Sequence, residues 1–296
     1  MISILIPIYN FDVRDFVRDL SEQLSQSGIP GEIICLDDKS NAGFKALNAE
    51  LGELDYVAYF ESDINLGRSA VRNALKKKAR FEHLLILDCD GKVNSPDYIA
   101  DYLKETADYD IIYGGRTYTE KRPYEAGLHF HWYVGKNREE VDAHVRSELP
   151  YGSFMTNNFL IRSDVYDDVL MDETVEGYGH EDTLFAEDAK AKGYRIKHIN
   201  NPIEHIGLEE VDVFLDKSRN AVRNLARLYT NGQVGDTVKM IRVYKQLSRY
   251  QLMWLITAFV YVFETRMLNS LRGAAPNLVW FDLWKLSLLH AYLREH

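Results

Sequence analysis

The sequence predicts an α/β protein: a mostly parallel sheet with helices on both faces, followed by a C-terminal helical appendage. Three observations predict it. Short apolar runs alternate with helix-period segments through about residue 115. Polar residues gather at the C-terminal ends of those runs, and the stretch after 208 carries helical patterns alone. Alternation of this kind implies crossover connections and a parallel sheet covered on both faces.

The elements follow in order. Strand Ile2–Ile6 ends at Pro7-Ile8-Tyr9-Asn10. Val13, Phe16, Val17, Leu20 and Leu24 then recur at helical spacing, with Gly28 as the stop. Strand Glu32–Leu36 ends at Asp37-Asp38-Lys39-Ser40. Helix Phe44–Leu51 leads to strand Tyr56–Phe60, and helix Arg68–Ala79 leads to strand Leu84–Leu87. Helix Pro96–Thr106 leads to strand Asp110–Tyr113, which ends at Gly114-Gly115. Residues Arg116–Pro150 read as an irregular, aromatic-rich segment, and a loop of that length is usually functional. Strand Asn158–Ile161, a Ser163-capped helix, helix Glu181–Lys192 and strand Tyr194–His198 complete the α/β part. The tail reads as three helices, about Val211–Tyr229, Asp236–Glu264 and Leu278–Arg294. The expected division is therefore 1–208, with halves 1–115 and 116–208, and 209–296.

Composition bounds the class. With 296 residues, 46% hydrophobic and 27% charged, the chain has the make-up of a soluble globular protein with a sizeable core. Its two cysteines, Cys35 and Cys89, both fall in expected buried strands, which predicts free thiols and a reducing, cytoplasmic setting. The chain opens directly on a strand with no basic leader, so secretion is not expected. The net charge of −10 conceals an asymmetry: from Lys217 to His296, 12 Lys and Arg face 4 Asp and Glu, a balance of +8 that leaves −18 on residues 1–216. The acidic front half argues against nucleic-acid binding, and the basic tail argues for an anionic contact.

Asp88-Cys89-Asp90, at the end of the run His83-Leu84-Leu85-Ile86-Leu87, is the most informative stretch. Two carboxylates one residue apart at a buried strand end either repel or share a cation. A hard divalent ion would relieve the repulsion and leave positions for phosphate oxygens. The plain alternative is a solvated turn. An EF-hand is excluded, because Gly91 is the fourth residue of the loop and the twelfth is Ile99. Asn10, Asp37, Asp38, Asp88 and Asp90 all fall at expected C-terminal strand ends, where open α/β sheets bind ligands. Arg68 and Arg72 share a helix face and suit a diphosphate or an aromatic base; a solvated helix start is the alternative. Gly179-His180-Glu181-Asp182 opens a helix, either as ordinary acidic capping or as a general base held at a helix start. His205 could complete a Mn2+-like site begun by carboxylates.

Leu252–Phe263 is nearly all apolar but only 12 residues long, short of a membrane span of roughly 20. Arg242, Lys245 and Arg249 precede it, Arg266 and Arg272 follow it, and Trp254, Trp280 and Trp284 accompany it. The expectation is peripheral contact with the cytoplasmic membrane face through 236–294; packing on the core or a homodimer contact is the alternative.

In order along the chain, these pieces resemble the inverting glycosyltransferases of family 2, with the GT-A fold. The resemblance spans about Ile2 to Gly207. Ile4-Leu5-Ile6-Pro7-Ile8-Tyr9-Asn10 is similar to the family's opening strand. Leu36-Asp37-Asp38-Lys39-Ser40 resembles its nucleotide motif, with Lys39 where glycine is usual. Asn65, Gly67, Arg72 and Asn73 fit its N-x-G-x-x-x-A-R-N element, with Val71 in place of alanine. Leu87-Asp88-Cys89-Asp90 fits its D-x-D metal motif. Asn157–Arg162 through Gly177–Asp182 resembles its acceptor-side motif ending in E-D, and Ile203–Gly207 its late histidine element.

The resemblance implies Asp38, supported by Asp37, at the base or ribose of a nucleotide-sugar donor, read as UDP-linked. Pro7, Tyr9 and Asn10 would line the pocket, with Asn65, Gly67 and Arg72 also on the donor. It implies Asp90 on a Mn2+ or Mg2+ ion, joined by His205, and Asp88 at the ribose or a metal-bound water. Asp182 would be the base, with Glu181 orienting the acceptor, and Asn158 and His180, within the acceptor-side motif, would meet a glycan or lipid-linked acceptor. Apart from the resemblance, the aromatic side chains of Trp132 and Tyr133 offer a stacking surface for an acceptor sugar. Two other classes stay open at this level. One is nucleotidyl transfer, although Pro7–Asp12 is not a glycine- and arginine-rich phosphate loop. The other is a non-catalytic sugar-nucleotide-binding partner.

Overall fold

A computed structural model describes residues 1–175 and 177–295. Its strands are β1 (Ile2–Ile8), β2 (Gly31–Asp37), β3 (Val57–Glu61), β4 (His83–Leu87), β5 (Gly91–Lys92), β6 (Ile111–Tyr113), β7 (Arg116–Thr117), β8 (Asn158–Arg162), β9 (Ile196–His198) and β10 (Ile203–His205). Its α-helices are α1 (Arg14–Ser27), α2 (Ala42–Asn48), α3 (Arg68–Lys76), α4 (Tyr98–Leu103), α5 (His129–Val134), α6 (Ala143–Ser147), α7 (Ser163–Asp168) and α8 (Glu181–Ala191). The tail adds α9 (Val211–Thr230), α10 (Lys239–Arg249), α11 (Met253–Leu271) and α12 (Leu278–Glu295). The chain divides into two compact units: 1–118 with 140–174 and 185–207, and 119–139 with 175–184 and 208–296.

The first unit is the α/β part. Among the described residues its main sheet runs β3-β2-β1-β4-β8-β6-β9, with β8 antiparallel to both neighbours and the other pairings parallel. Successive side chains of a strand point to opposite faces. Ile2, Ile4, Ile6 and Ile8 of β1 accordingly join α1 and α4 on one side, through Phe16, Leu20 and Tyr98. Leu5, with Ile34, Leu84 and Ile86, faces Val71, Leu75, Val165 and Phe185 on the other. Helix α1 is the amphipathic stripe expected, and Gly28 ends it at φ +63°. A second, three-stranded sheet, β5-β10-β7, forms at the C-terminal end of β4.

The second unit is helical. Val222, Leu225, Ile241, Met253 and Leu289 form one core, and Phe130, Phe214, Val260, Phe281 and Trp284 another.

Two expectations are corrected. Residues 116–150 are not irregular throughout, because α5 and α6 lie within them. The run His129-Phe130-His131-Trp132-Tyr133-Val134 has little helix propensity, but Phe130 packs edge-to-face on Phe214 and Phe281 at 5.7 and 5.1 Å, so packing overrides propensity. The expected helix 236–264 is two helices, broken at residues 250–252 where Gln251 turns left-handed at φ +55°. Cys35 and Cys89 are free thiols, as expected, with Cys35 buried and Cys89 half-buried just past β4.

His198, at the end of β9, accepts no proton readily. Its Nε2 lies 2.8 Å from the Pro150 carbonyl and its Nδ1 3.2 Å from the buried Arg146 guanidinium. Burial, with Arg146 adding, pushes its imidazole down to about 4. The folded pKa is below the unfolded value of about 6.5, so the folded state takes up the proton less readily. The associated stability is full above pH ~6.5 and is lost as pH falls toward 4. Urea unfolding should show a loss of about 2 kcal/mol over that interval from this group after solvent screening, absent in His198→Gln. An unchanged pH profile in that variant would contradict the assignment.

Candidate active site

The C-terminal end of β4 lies in the first unit and gathers charged side chains from three separate crossovers. Arg72, on α3, is 4% exposed; its guanidinium donates to the Arg68 carbonyl at 2.9 Å and to the Asp88 carboxylate. Arg116, on β7, stands 3.8 Å from the other Asp88 oxygen. Asp90 Oδ1 is 3.4 Å from His205 Nδ1 on β10. The small sheet causes this convergence. β10 pairs antiparallel with β5, aligning His205 with Gly91, and parallel with β7, aligning Ile203 with Arg116. Tyr118 holds the His205 ring edge-to-face at 5.5 Å. Gly207 lies flat against Asp90, where a Cβ would come within 2.7 Å of its carboxylate.

Burial works against charge on Asp90, but His205, Arg116 and Arg68 hold its carboxyl well below the usual range. Among the described residues no three His, Cys, Asp or Glu side chains are grouped to hold a metal. The protein's donors here are the Asp90 carboxylate and the His205 imidazole. That pair fits two corners of a Mn2+- or Mg2+-type site whose other positions are filled by ligand and water oxygens. Asp88 is engaged by the two arginines.

The donor-side candidates meet at the ends of β1 and β2. Asp38 is 4% exposed; its oxygens accept the Leu66 and Gly67 amides at 2.6 and 2.9 Å. Asn65 Nδ2 donates to the Asp38 carbonyl at 3.0 Å. Burial raises the Asp38 pKa, opposed by those two amides. Asp37 is fully buried; its Oδ1 accepts the Ser40 amide at 2.7 Å. Lys39 takes φ +65°, so the backbone of the glycine-type turn survives although a side chain occupies it. Asn10, at φ +50°, accepts the Asn41 amide at 2.8 Å, and its own amide donates to Ser40 Oγ. Pro7 is half-buried and Tyr9 is 55% exposed. Gly67 takes φ +85° immediately before α3.

Most of the acceptor-side candidates belong to the second unit. Glu181 and Asp182 open α8 and belong, with His180, to the second unit. Gly179, at φ +96°, has no room for a Cβ, which would meet Ala221 of α9 at 2.6 Å. His180 follows at φ +72°, and burial pushes its imidazole down to about 4 although Glu181 acts the other way. Glu181 is buried, while Asp182 is half-buried and accepts the Thr183 amide at 2.7 Å. Trp132 and Tyr133 are half-buried on α5, and Trp132 Nε1 donates to the Thr119 carbonyl.

Asn158 is a correction. It is fully buried in the first unit, and its amide is occupied by Tyr98 and Tyr102 hydroxyls and the Gly115 and Asn201 carbonyls. No group of its side chain is left to meet an acceptor; it ties β8 to α4. Arg116 was missed in the sequence. It lay in a segment read as irregular, and only its place three residues after the strand run ending at Tyr113 could have drawn notice.

The sheet and its strand-end cluster define a GT-A architecture, with the helical tail as an addition to it. The chain belongs to glycosyl transferase family 2, whose profile matches residues 3–170. No curated protein matches it in sequence. Among solved structures it is similar to the mannosyltransferase PcManGT from Pyrobaculum calidifontis in complex with GDP-Man and Mn2+, at 14% identity and TM-score 0.61, covering 99% of this chain and 84% of that one. S. aureus TarS 1-349 in complex with UDP-GlcNAc matches at 15% identity and TM-score 0.50, covering 100% and 92%. Glucosyl-3-phosphoglycerate synthase from Mycobacterium tuberculosis, with Mn2+, UDP and glucosyl-3-phosphoglycerate, matches at 13% and 0.52, covering 77% and 79%.

Asp38 closes the 65–67 turn through two amides, so Asp38→Ala should release them. Amide exchange at Leu66 and Gly67 should speed up, and stability should drop by about 1–3 kcal/mol. Unchanged protection at both amides would show that the turn holds without the carboxylate.

Proposed function

We propose that the protein is an inverting glycosyltransferase that moves a sugar from a nucleotide-diphosphate sugar, read as UDP-linked, to a hydroxyl of a glycan or lipid-linked acceptor. The observation that carries the reading is the meeting of Asp88, Asp90, Arg72, Arg116 and His205 at the end of β4 in a family 2 domain. That PcManGT and the mycobacterial synthase hold Mn2+ beside GDP-Man or UDP supports it.

The acceptor oxygen attacks the anomeric carbon opposite the departing nucleoside diphosphate, so the new C–O bond inverts configuration. The bond to the diphosphate oxygen breaks with its electron pair, through an oxocarbenium-like transition state. Asp182 takes the acceptor proton, and Glu181 orients the hydroxyl. Pro7, Tyr9 and Asn10 flank the base. Asp38 keeps lone pairs beyond those given to Leu66 and Gly67, enough to accept an N–H of the base as well. Asp88, steadied by Arg72, serves the ribose. A divalent cation held by Asp90 and His205 would supply charge neutralisation at the diphosphate. Arg116 adds a fixed positive charge on the same side, ready before the donor arrives.

Asp182→Asn should lower transfer by about 10²–10⁴-fold with donor affinity retained, as read by radiolabelled transfer and calorimetry. Full transfer in that variant would remove Asp182 as the base. Arg116→Ala should weaken nucleoside diphosphate binding by about tenfold or more and leave nucleoside monophosphate binding unchanged, measured in EDTA so that no cation contributes. Equal losses for both nucleotides would mean that Arg116 acts only by holding Asp88.

A further inference from the structure

Helix α11 has one side committed and one side bare. Met253, Val260, Met267 and Leu271 are buried within the second unit. Trp254, Leu255, Phe259, Tyr261, Val262 and Phe263 are exposed, Tyr261 at 88% and Val262 at 69%. No charged residue occurs between Arg249 and Glu264. A contiguous apolar face of this size is uncommon on a soluble protein surface unless something covers it.

The surroundings say what covers it. Arg249 ends α10 and Arg266 lies a turn past the apolar stretch; both are exposed, and α10 adds Lys239, Arg242 and Lys245 upstream. A groove of about 470 Å³ runs between α11 and α12, walled by Trp254, Tyr261, Leu288 and Trp284, whose Nε1 donates at 3.2 Å to the Glu264 carboxylate in the same lining. Among the described residues no helix is long and apolar enough to cross a membrane. A second copy of the chain would set this basic tail, +8 from Lys217 to His296, against its own charge. An apolar protein partner would have no use for the bracketing cations. Apolar bulk framed by basic residues matches the boundary between acyl chains and anionic headgroups.

We propose that the outer face of α11 beds into the surface of an anionic bilayer, with Trp254, Leu255, Phe259 and Val262 in the acyl boundary and Arg249 and Arg266 on the phosphates. The groove against α12 receives part of a lipid chain. The proposal goes beyond the transfer reaction and does not rest on it, since vesicle binding is read without donor or acceptor.

The test is flotation of the full chain with phosphatidylcholine vesicles, with and without phosphatidylglycerol. Binding is expected with the anionic vesicles at low salt and is expected to weaken at high salt. Val262→Glu should lower the bound fraction about tenfold or more, and so should Arg249→Glu combined with Arg266→Glu, each with an unchanged circular dichroism spectrum. All of these positions are exposed, so folding is not at stake. Failure to float with either vesicle would overturn the proposal. So would a concentration-dependent dimer that Val262→Glu converts to monomer, because a second copy would then cover the face.

Discussion

Two carboxylates end a buried strand one residue apart, and the rest of the α/β unit is arranged around neutralising them. Like charges at this spacing disfavour joint ionisation, and a partly buried carboxylate without a partner is costly. Asp88 is met by Arg72 and Arg116, and Asp90 by His205. These partners stand on α3, β7 and β10, elements far apart in sequence that return to the same sheet end. Crossover topology makes that return possible, because each parallel strand delivers its following residues to one edge. The three-stranded sheet is the local device. Its strands of two and three residues stabilise little by themselves, but their register places Arg116 and His205.

The parallel framework was legible because each early strand is a short apolar run ended by polar or turn residues. β1 to β4 fall within a residue or two of their expected places. The turn at Lys39 was legible as a departure from the family pattern, and its φ of +65° explains how it is accommodated: the backbone keeps the left-handed conformation that glycine adopts freely and a residue with a Cβ adopts at some cost. The break at Gln251 was not legible, since neither glycine nor proline marks it. The helicity of α5 was hidden for the opposite reason. Its residues prefer strands, and only Phe214 and Phe281, remote in sequence, make the helix worthwhile.

The candidate site was legible in its motifs and less so in its chemistry. Spacing brought Asp88, Asp90 and His205 forward, but spacing could not say that Asp88 would be held by arginines while Asp90 faced the imidazole. Asn158 shows the converse. A polar residue beside a motif resembles a ligand contact in sequence, whereas the folded chain uses all its hydrogen-bonding capacity on two tyrosines and two carbonyls. Buried amides of this kind fix a unique arrangement because leaving any one partner unmet is expensive.

The charge asymmetry acquires a physical meaning from these placements. Residues 1–216 carry −18, yet the ligand proposed for them is a diphosphate. On the proposed reading net charge would repel it, and binding would rest on short-range groups: Arg68, Arg72 and Arg116 beside the carboxylates, with Asp90 and His205 placed to hold a cation. Screening favours this solution, since the diffuse acidic field fades over about 8–10 Å at physiological salt while close contacts persist. The same field would oppose approach to an anionic membrane. A chain with an acidic front half can meet such a surface only through a segment with its own cations and its own apolar area, and α10 and α11 combine the two.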